Sequence, residues 1–165
     1  MAVNAARMAD EWFSPRKKMD RTHHLIEKVR PGRSPEERIP AIRELGTSGD
    51  YGAVRSLIDC CQDQDPGIRR SAIEGLQNLR SGRAVGVLID RLRDKDELPE
   101  TRQHAAAALA AIRSYRAMQE LRDRYADADE DGALRFFIGG ELDRVQNLVS
   151  VTLGPVASSQ KSISW

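Results

Sequence analysis

The stretch of sequence that decides the fold spans residues 65–94 and reads DPGIRRSAIEGLQNLRSGRAVGVLIDRLRD. Its first half carries apolar residues at helical spacing, at Ile68, Ala72, Ile73, Leu76 and Leu79. After the turn residues Ser81 and Gly82, its second half carries a matching stripe, at Ala84, Val85, Leu88, Ile89 and Leu92. We interpret the stretch as a helical hairpin with two apolar faces.

The same hairpin pattern recurs on both sides of this stretch. The copies are shifted by 31, 33 and 33 residues, and one arginine marks each register: Arg38, Arg69, Arg102 and Arg135. An isolated hairpin cannot bury both of its apolar faces, so neighbouring copies must stack. The sequence therefore predicts an all-α fold, a right-handed α–α superhelix of about three helical hairpins, in residues 35–63, 66–94 and 99–127.

The chain outside the hairpins divides into a cap at each end and two extensions. We predict a repeat domain over residues 20–148, with one capping helix at its start and a second cap over residues 132–148. The second cap is expected to pack back through Phe136, Phe137, Leu142 and Val145. Residues 1–19 form a basic extension, interpreted as a docking arm for an acidic partner or RNA, or as a flexible leader. Residues 149–165 form a Ser-rich tail.

The composition restricts the class of protein. The 165 residues include 26 Lys+Arg and 25 Asp+Glu, for a net charge of +1, and 40% are hydrophobic. This balance predicts a folded, soluble chain and disfavours a nucleic-acid binder held by bulk charge. We find neither an apolar run of membrane-spanning length nor an export leader, and the adjacent cysteines Cys60 and Cys61 suit a reducing compartment. A cytoplasmic protein without membrane contact is expected.

The hairpin resembles a known repeat. Asp65-Pro66-Gly67-Ile68-Arg69, followed by the apolar positions given above, is similar to the HEAT-like repeat of the PBS-lyase or E–Z type. The resemblance extends over residues 35–148. It implies an α-solenoid that usually serves as a protein-binding platform. Some members of the family are subunits of enzymes that attach bilins to phycobiliproteins, and others assist the assembly of large complexes.

The aligned arginines suggest a ladder along the stack. They could form an anion-binding stripe, or they could make inter-repeat ion pairs with the aspartates that end the copies. The second interpretation is favoured because evenly spaced Arg–Asp pairs fit stacking geometry better than a cleft. The predicted ladder consists of Arg38, Arg69, Arg102 and Arg135 with Asp63, Asp94 and Asp127.

The second helices of such solenoids line the concave side, and their outward positions are the candidate partner-binding residues. These positions are Arg55, Asp59, Arg83, Asp90, Arg91, Arg93, Arg116, Glu120, Asp123 and Arg124. Mixed charge of this kind suits a protein partner with complementary polar groups. An ordinary solvated face is the alternative interpretation.

Few residues suggest metal binding or catalysis. Asp127, Asp129 and Asp131 resemble the start of an EF-hand calcium loop, but the twelfth position is Ile138 instead of a carboxylate, which favours an acidic loop that caps the next helix. Structural cysteines are the favoured interpretation: Cys61 matches a core position, and Cys60, which aligns with outward positions, would be the more reactive thiol of the two. We find no catalytic motif and expect no cofactor.

These observations predict a non-catalytic protein–protein interaction module. It would act as a scaffold, adaptor or assembly factor in a larger complex and bind through the concave helix face and the terminal extensions. One alternative is a subunit of a bilin-lyase-type enzyme or a chromophore chaperone. A second alternative is a nucleic-acid-binding solenoid.

Overall fold

A computed structural model of the chain describes the backbone of residues 15–153 and the side chains of residues 19–148, and every regular element in these ranges is a helix. The predicted all-α fold is confirmed. The predicted extensions at residues 1–14 and 154–165 lie outside the described residues. The eight α-helices are α1 Pro15–Lys28, α2 Pro35–Thr47, α3 Val54–Cys60, α4 Pro66–Leu79, α5 Val85–Arg93, α6 Pro99–Ile112, α7 Tyr115–Ala126 and α8 Gly132–Leu153.

The helices alternate between two layers. The first helices of the repeats, α2, α4, α6 and α8, pack on one another in sequence order, and α1 packs on α2. Each second helix packs on the first helix of the next repeat: α3 on α4, α5 on α6 and α7 on α8. This arrangement buries both apolar faces of every hairpin in one continuous core.

Local sequence explains where the helices start. The first helices α2, α4 and α6 begin at Pro35, Pro66 and Pro99. Proline is tolerated there because the N–H groups of the first turn have no intrahelical acceptor, so the missing N–H costs no hydrogen bond. The side chain of Asp65 accepts a hydrogen bond from the N–H of Ile68 at 2.9 Å and so caps α4. Ser114 caps the second helix α7 in the same way, through the N–H of Ala117.

The joint between the first two repeats is the tightest contact in the first-helix layer. A Cβ atom built on Gly46 of α2 would lie only 2.4 Å from the Cα of Gly75 in α4, so the two backbones touch. Any side chain at Gly46 would push the helices apart. At the next joint, between α4 and α6, the residues equivalent to Gly46 and Gly75 are Gln77 and Ala108.

The loops lie along two opposite edges of the stack, because short connections join antiparallel helices. The inter-repeat edge carries the loops at residues 29–34, 61–65, 94–98 and 127–131. The hairpin edge carries the turns at residues 48–53, 80–84 and 113–114, which include short 3₁₀ turns at Tyr51–Ala53 and Gly82–Ala84.

Both end helices differ in extent from the predicted caps. Helix α1 begins at Pro15, before the predicted start at residue 20, and α8 continues to Leu153, past the predicted end at residue 148. Phe137, Leu142 and Val145 pack against the core as expected. The expectation for Phe136 is wrong, since its side chain is 85% exposed. Its position on α8 faces away from the side that carries Leu134 and Ile138.

The described helices do not have the character of a membrane span. Within residues 15–153, no helix combines the length and the apolar character needed to cross a bilayer.

Candidate interaction surface

The ladder arginines of the second and third repeats bind buried glutamates. Arg69 holds Glu97 with two hydrogen bonds, at 2.6 and 2.7 Å, and Arg102 holds Glu130 with two at 2.9 Å. The glutamate side chains are 0% and 2% exposed. A second arginine flanks each carboxylate, Arg91 at 3.4 Å from Glu97 and Arg124 at 3.7 Å from Glu130. Each unit is therefore a buried Arg–Glu–Arg cluster.

The first repeat makes its ion pair with the predicted aspartate. Arg38 binds Asp63 at 2.7 Å and also donates to the carbonyl oxygen of Val29. The remaining ladder arginine, Arg135, donates to the carbonyl oxygen of Tyr125 and has no ladder aspartate. The predicted Arg–Asp pairing thus holds for one step of the ladder.

Loop length explains why the other two aspartates are replaced as partners. Asp94 is five residues before Pro99, whereas Asp63 is only three residues before Pro66, and the two additional residues bring in Glu97. The prediction for Asp94 and Asp127 is therefore wrong. Each accepts a backbone N–H two residues later at 3.0 Å and pairs within its own repeat, with Arg91 at 3.2 Å and with Arg124 at 3.0 Å.

The carboxylates of the ladder are held in their charged form, although the buried Nε groups of Arg91 and Arg124 have no hydrogen-bond partner among the described residues. Burial alone raises the pKa of Glu97, but hydrogen bonds from Arg69 and from the N–H of Leu98 outweigh it and hold the pKa below its ordinary value. The hydrogen bonds to Glu97 raise the pKa of Arg69 in turn. Because the arginines are already paired with buried carboxylates, the ladder does not offer an anion site, and removal of one partner would leave an uncompensated charge.

Several of the predicted partner-binding residues are engaged within the molecule. Arg93 donates two hydrogen bonds to Glu120 of the next second helix, from Nε at 2.7 Å and from Nη2, and Glu120 is buried. Arg124 approaches the same carboxylate at 3.5 Å. Arg91 lies in the Glu97 cluster. Arg91, Arg93, Glu120 and Arg124 therefore take part in contacts within the stack, and their predicted role in partner binding stays a prediction.

The other predicted residues remain on the surface. Arg55 and Asp59 form an exposed pair at 3.2 Å along α3, and Asp123 accepts a hydrogen bond from Gln119. Arg83, Asp90 and Arg116 are exposed as well. Neither Arg83 nor Arg116 makes a hydrogen bond or an ion pair anywhere in residues 19–148.

Two further arginines, which the sequence analysis missed, lie beside Arg83 and Arg116 on the hairpin edge. Arg80 and Arg113 close the first helices α4 and α6, and both are exposed and unpaired in the described part of the chain. We call Arg80, Arg83, Arg113 and Arg116 the arginine row. Each pair repeats at the 33-residue shift, which is the sequence signal that could have revealed them.

Exposed tyrosines accompany the arginine row. Tyr115 is 83% exposed and Tyr51 is 65% exposed, and both occupy the same repeat position at the start of a second helix. Tyrosine side chains of this exposure are rare on an inert surface, and they are enriched in interfaces because they combine apolar area with a polar tip. The hairpin edge thus combines planar cations with amphipathic rings.

The arginine row gains little stability from its placement, although Arg80 and Arg113 are favourable cations at the ends of α4 and α6. Arg80 and Arg113 adopt left-handed backbone angles, with φ of 50° and 56°, where the first repeat has Gly49 with φ of 62°. A side chain in this conformation costs about 1 kcal/mol. Arg83 and Arg116 stand at the entrances of second helices, where the helix dipole disfavours a cation.

The cysteines lie inside the stack. The burial of both agrees with the favoured structural interpretation, but the outward placement expected for Cys60 is wrong, because Cys60 occupies the ladder position of Arg91 and Arg124 beside Arg38. Burial raises the pKa of Cys60, and the Arg38 guanidinium offsets only part of this effect. Burial also raises the pKa of Cys61 to about 12. Both thiols are protonated at neutral pH and poorly nucleophilic.

The acidic loop after α7 caps a helix and does not gather its carboxylates. Asp131 accepts the N–H of Leu134 at 2.9 Å and so caps α8, while Asp127 binds the N–H of Asp129 and Arg124. In the part of the chain that the structure describes, no group of three or more His, Cys, Asp or Glu side chains could hold a metal ion. The weak calcium candidate is therefore not supported by the geometry.

Comparisons with known proteins agree on the fold. A family model of HEAT repeats matches residues 22–98 and 72–136. Among solved structures, human deoxyhypusine hydroxylase in complex with glycerol matches with a TM-score of 0.71 and 20% sequence identity, over 85% of this chain and 48% of that chain. This chain thus spans about half the length of that structure, and the likeness is one of fold alone. A search of curated proteins finds no match.

Proposed function

Because the chain belongs to the HEAT-repeat family, we propose that it is a non-catalytic protein-interaction module, an adaptor or assembly subunit of a larger complex. Its binding surface is the arginine row with Tyr51 and Tyr115, and its partner carries an acidic segment. This surface replaces the central part of the second-helix face, whose charges are used inside the molecule.

A single observation carries the proposal: four exposed arginines along one edge have no partner within residues 19–148, although two of them strain the backbone and two oppose a helix dipole. Residues that carry a stability cost and whose side chains find no partner in the fold concentrate at functional sites. Elsewhere in this stack, arginines at the same period are paired with carboxylates.

The chemistry of the row specifies the partner. A guanidinium presents planar, parallel donors that fit a carboxylate with two hydrogen bonds. The tyrosine rings supply apolar contact area at a low cost in conformational entropy. A partner segment that carries Asp or Glu near apolar side chains satisfies both, and long-range attraction to the row would accelerate its association.

The test is quantitative affinity purification with a charge-reversal variant. We expect Arg83→Glu/Arg116→Glu to lose the partners that the unaltered chain recovers. The matched control, Arg33→Glu/Arg43→Glu, reverses two exposed and unpaired arginines away from the row and should keep them. Equal recovery of the same partners by both double variants would refute the proposal, provided that circular dichroism shows unchanged helicity.

Two catalytic alternatives receive less support. The likeness to deoxyhypusine hydroxylase is at 20% identity and carries the fold only. A bilin-lyase-type subunit or chromophore chaperone would favour an accessible thiol, whereas Cys60 and Cys61 are buried with raised pKa values. We therefore assign no reaction to the chain.

Nucleic-acid binding is the second candidate, because the same arginine row would contact phosphates and the exposed tyrosines would stack on bases. A labelled single-stranded oligonucleotide distinguishes the two. Nucleic-acid binding predicts measurable affinity that falls steeply as salt increases and is lost in Arg83→Glu/Arg116→Glu. Absence of binding at low salt would exclude it.

A further inference from the structure

An open slot lies between the last two helices, α7 and α8. It encloses about 690 Å³, and its floor is formed by Met118, Leu142 and Val145. These three side chains are only half-buried, although they pack against the core. Arg122 and Asp143 stand on its rim.

Repeat register shows what kind of element fits this slot. One repeat earlier, 33 residues back, the floor positions are Val85, Leu109 and Ile112. There α7 lies across α5 and α6, and Val85 and Leu109 are buried. The slot between α7 and α8 is therefore the place where a second helix of a following repeat would pack.

The chain itself does not fill the slot with residues up to Leu153. Helix α6 ends at Ile112, and the left-handed residue Arg113 turns the chain back into α7. At the equivalent position, Gln146, helix α8 continues without a turn and runs to Leu153. These last residues extend past the slot along the axis of α8, about 1.5 Å for each residue.

The rim charges define the occupant more closely. Arg122 takes the place of Ile89, and Asp143 takes the place of Ala110, two residues that α7 buries in the preceding repeat. Arg122 and Asp143 have no hydrogen bond or ion pair within the described side chains. In the filled slot, the covering helix supplies Glu120 to Arg93. The register equivalent of Arg93 in the open slot is Ala126, and the unpaired cations that line this slot are Arg113 and Arg122. A helix over the open slot would therefore meet Arg122 with an acidic side chain.

We propose that the slot between α7 and α8 receives an amphipathic helix from a partner protein, with an apolar stripe on the floor and an acidic side chain against Arg122. The contact follows the rules by which the repeats pack on each other, so it extends the stack by one helix of a different chain. Arg113 of the arginine row also lines the slot, whereas Arg80, Arg83 and Arg116 do not. Because Arg122 lies outside the row, a variant at Arg122 tests this site apart from the proposed function.

Two designed peptides test the proposal by fluorescence anisotropy with the full chain. Both are fluorescein-labelled helices with the same leucine stripe, flanked by glutamate in one and by lysine in the other. We expect the glutamate peptide to bind at least about tenfold more tightly, the size of one favourable charge contact. The variant Arg122→Glu should reverse this preference, whereas the control Arg43→Glu should retain it. Arg122 is exposed, so the variant is expected to fold.

Three outcomes would overturn the proposal. The first is that neither peptide binds the unaltered chain. The second is that Arg122→Glu leaves the preference for the glutamate peptide unchanged. The third is that binding appears only after truncation behind Leu153, which would show that residues 154–165 of the chain occupy the slot themselves.

Discussion

The two edges of the stack use the same residue in opposite ways. On the inter-repeat edge, Arg38, Arg69 and Arg102 each meet a carboxylate from the neighbouring loop. On the hairpin edge, the arginine row meets none in residues 19–148. Both sets follow the repeat period, so periodicity alone does not separate structural arginines from available ones. The facing loop determines whether an arginine is paired, because a loop that carries a buried carboxylate binds the arginine within the structure.

The largest expected effect comes from removing a ladder acid. Glu97→Ala leaves the guanidinium groups of Arg69 and Arg91 without their shared carboxylate, so we expect a loss of about 3 kcal/mol in the free energy of unfolding. Urea titration followed by circular dichroism measures it. The comparison variant Arg83→Ala, on the other edge, should stay within about 0.5 kcal/mol. Similar losses in both variants would remove the distinction between the edges.

Acid should reveal the same difference. The pKa of Glu97 is lowered in the folded chain from its ordinary value of 4.5, so its contribution is complete above that pH and is lost as the pH falls towards the folded pKa. We expect the stability gap between the unaltered chain and Glu97→Gln to narrow as the pH falls below that value. Unfolding titrations at neutral and acidic pH test this.

The reference for the acid experiment is Arg83→Gln, which removes a charge from the hairpin edge. Its small stability difference from the unaltered chain should not change over the same pH interval, because no carboxylate pairs with Arg83. A gap for Glu97→Gln that is independent of pH would show that the carboxylate is not held in its charged form.

A smaller effect is expected where the arginine row strains the backbone. Arg113→Gly removes a side chain from a left-handed position, which should stabilise the fold, but it also removes a favourable cation from the end of α6. We expect the net result to be an increase of about 0.5 kcal/mol in the free energy of unfolding. Thermal unfolding measures the change. In Arg43→Gly, within helix α2, the same replacement should lower stability by about 1 kcal/mol. A loss in both variants would mean that Arg113 supports the fold.

The smallest effect concerns the helix dipole. Arg116→Glu places an anion in the first turn of α7, where it is favourable, so stability should increase by a few tenths of a kcal/mol. If the arginine row is the binding surface, the same variant weakens partner binding. Opposite signs in the two measurements would separate the functional role of Arg116 from a structural one, and equal signs would argue against it.

The sequence was sufficient for the architecture but not for the pairing of its charges. The apolar period of residues 65–94 and its recurrence predicted the hairpins, because burial of both faces leaves few alternatives to stacking. Glu97 escaped the prediction because the first repeat, whose loop is two residues shorter, has no counterpart, although Glu97 and Glu130 recur at the 33-residue shift. The pair of Arg93 with Glu120 escaped because it depends on how far neighbouring second helices are displaced, a quantity that the residue pattern does not contain.

The outward placement predicted for Cys60 was wrong for a related physical reason. Its alignment with Arg91 and Arg124 placed Cys60 outward, but those arginines reach inward to buried glutamates. An outward repeat position does not mean solvent when the side chain there belongs to an ion cluster. The short thiol is left beneath Arg38 and is closed off from water.

The backbone contact between Gly46 and Gly75 has a mechanical consequence. Where two helices meet without side chains between them, neither can slide or tilt without a steric clash, whereas a joint with side chains between its helices yields through their rotamers. The stiffness of the stack is therefore expected to differ from joint to joint. We expect the first joint to be the stiffer one and elastic bending of the stack to be concentrated towards α6 and α8.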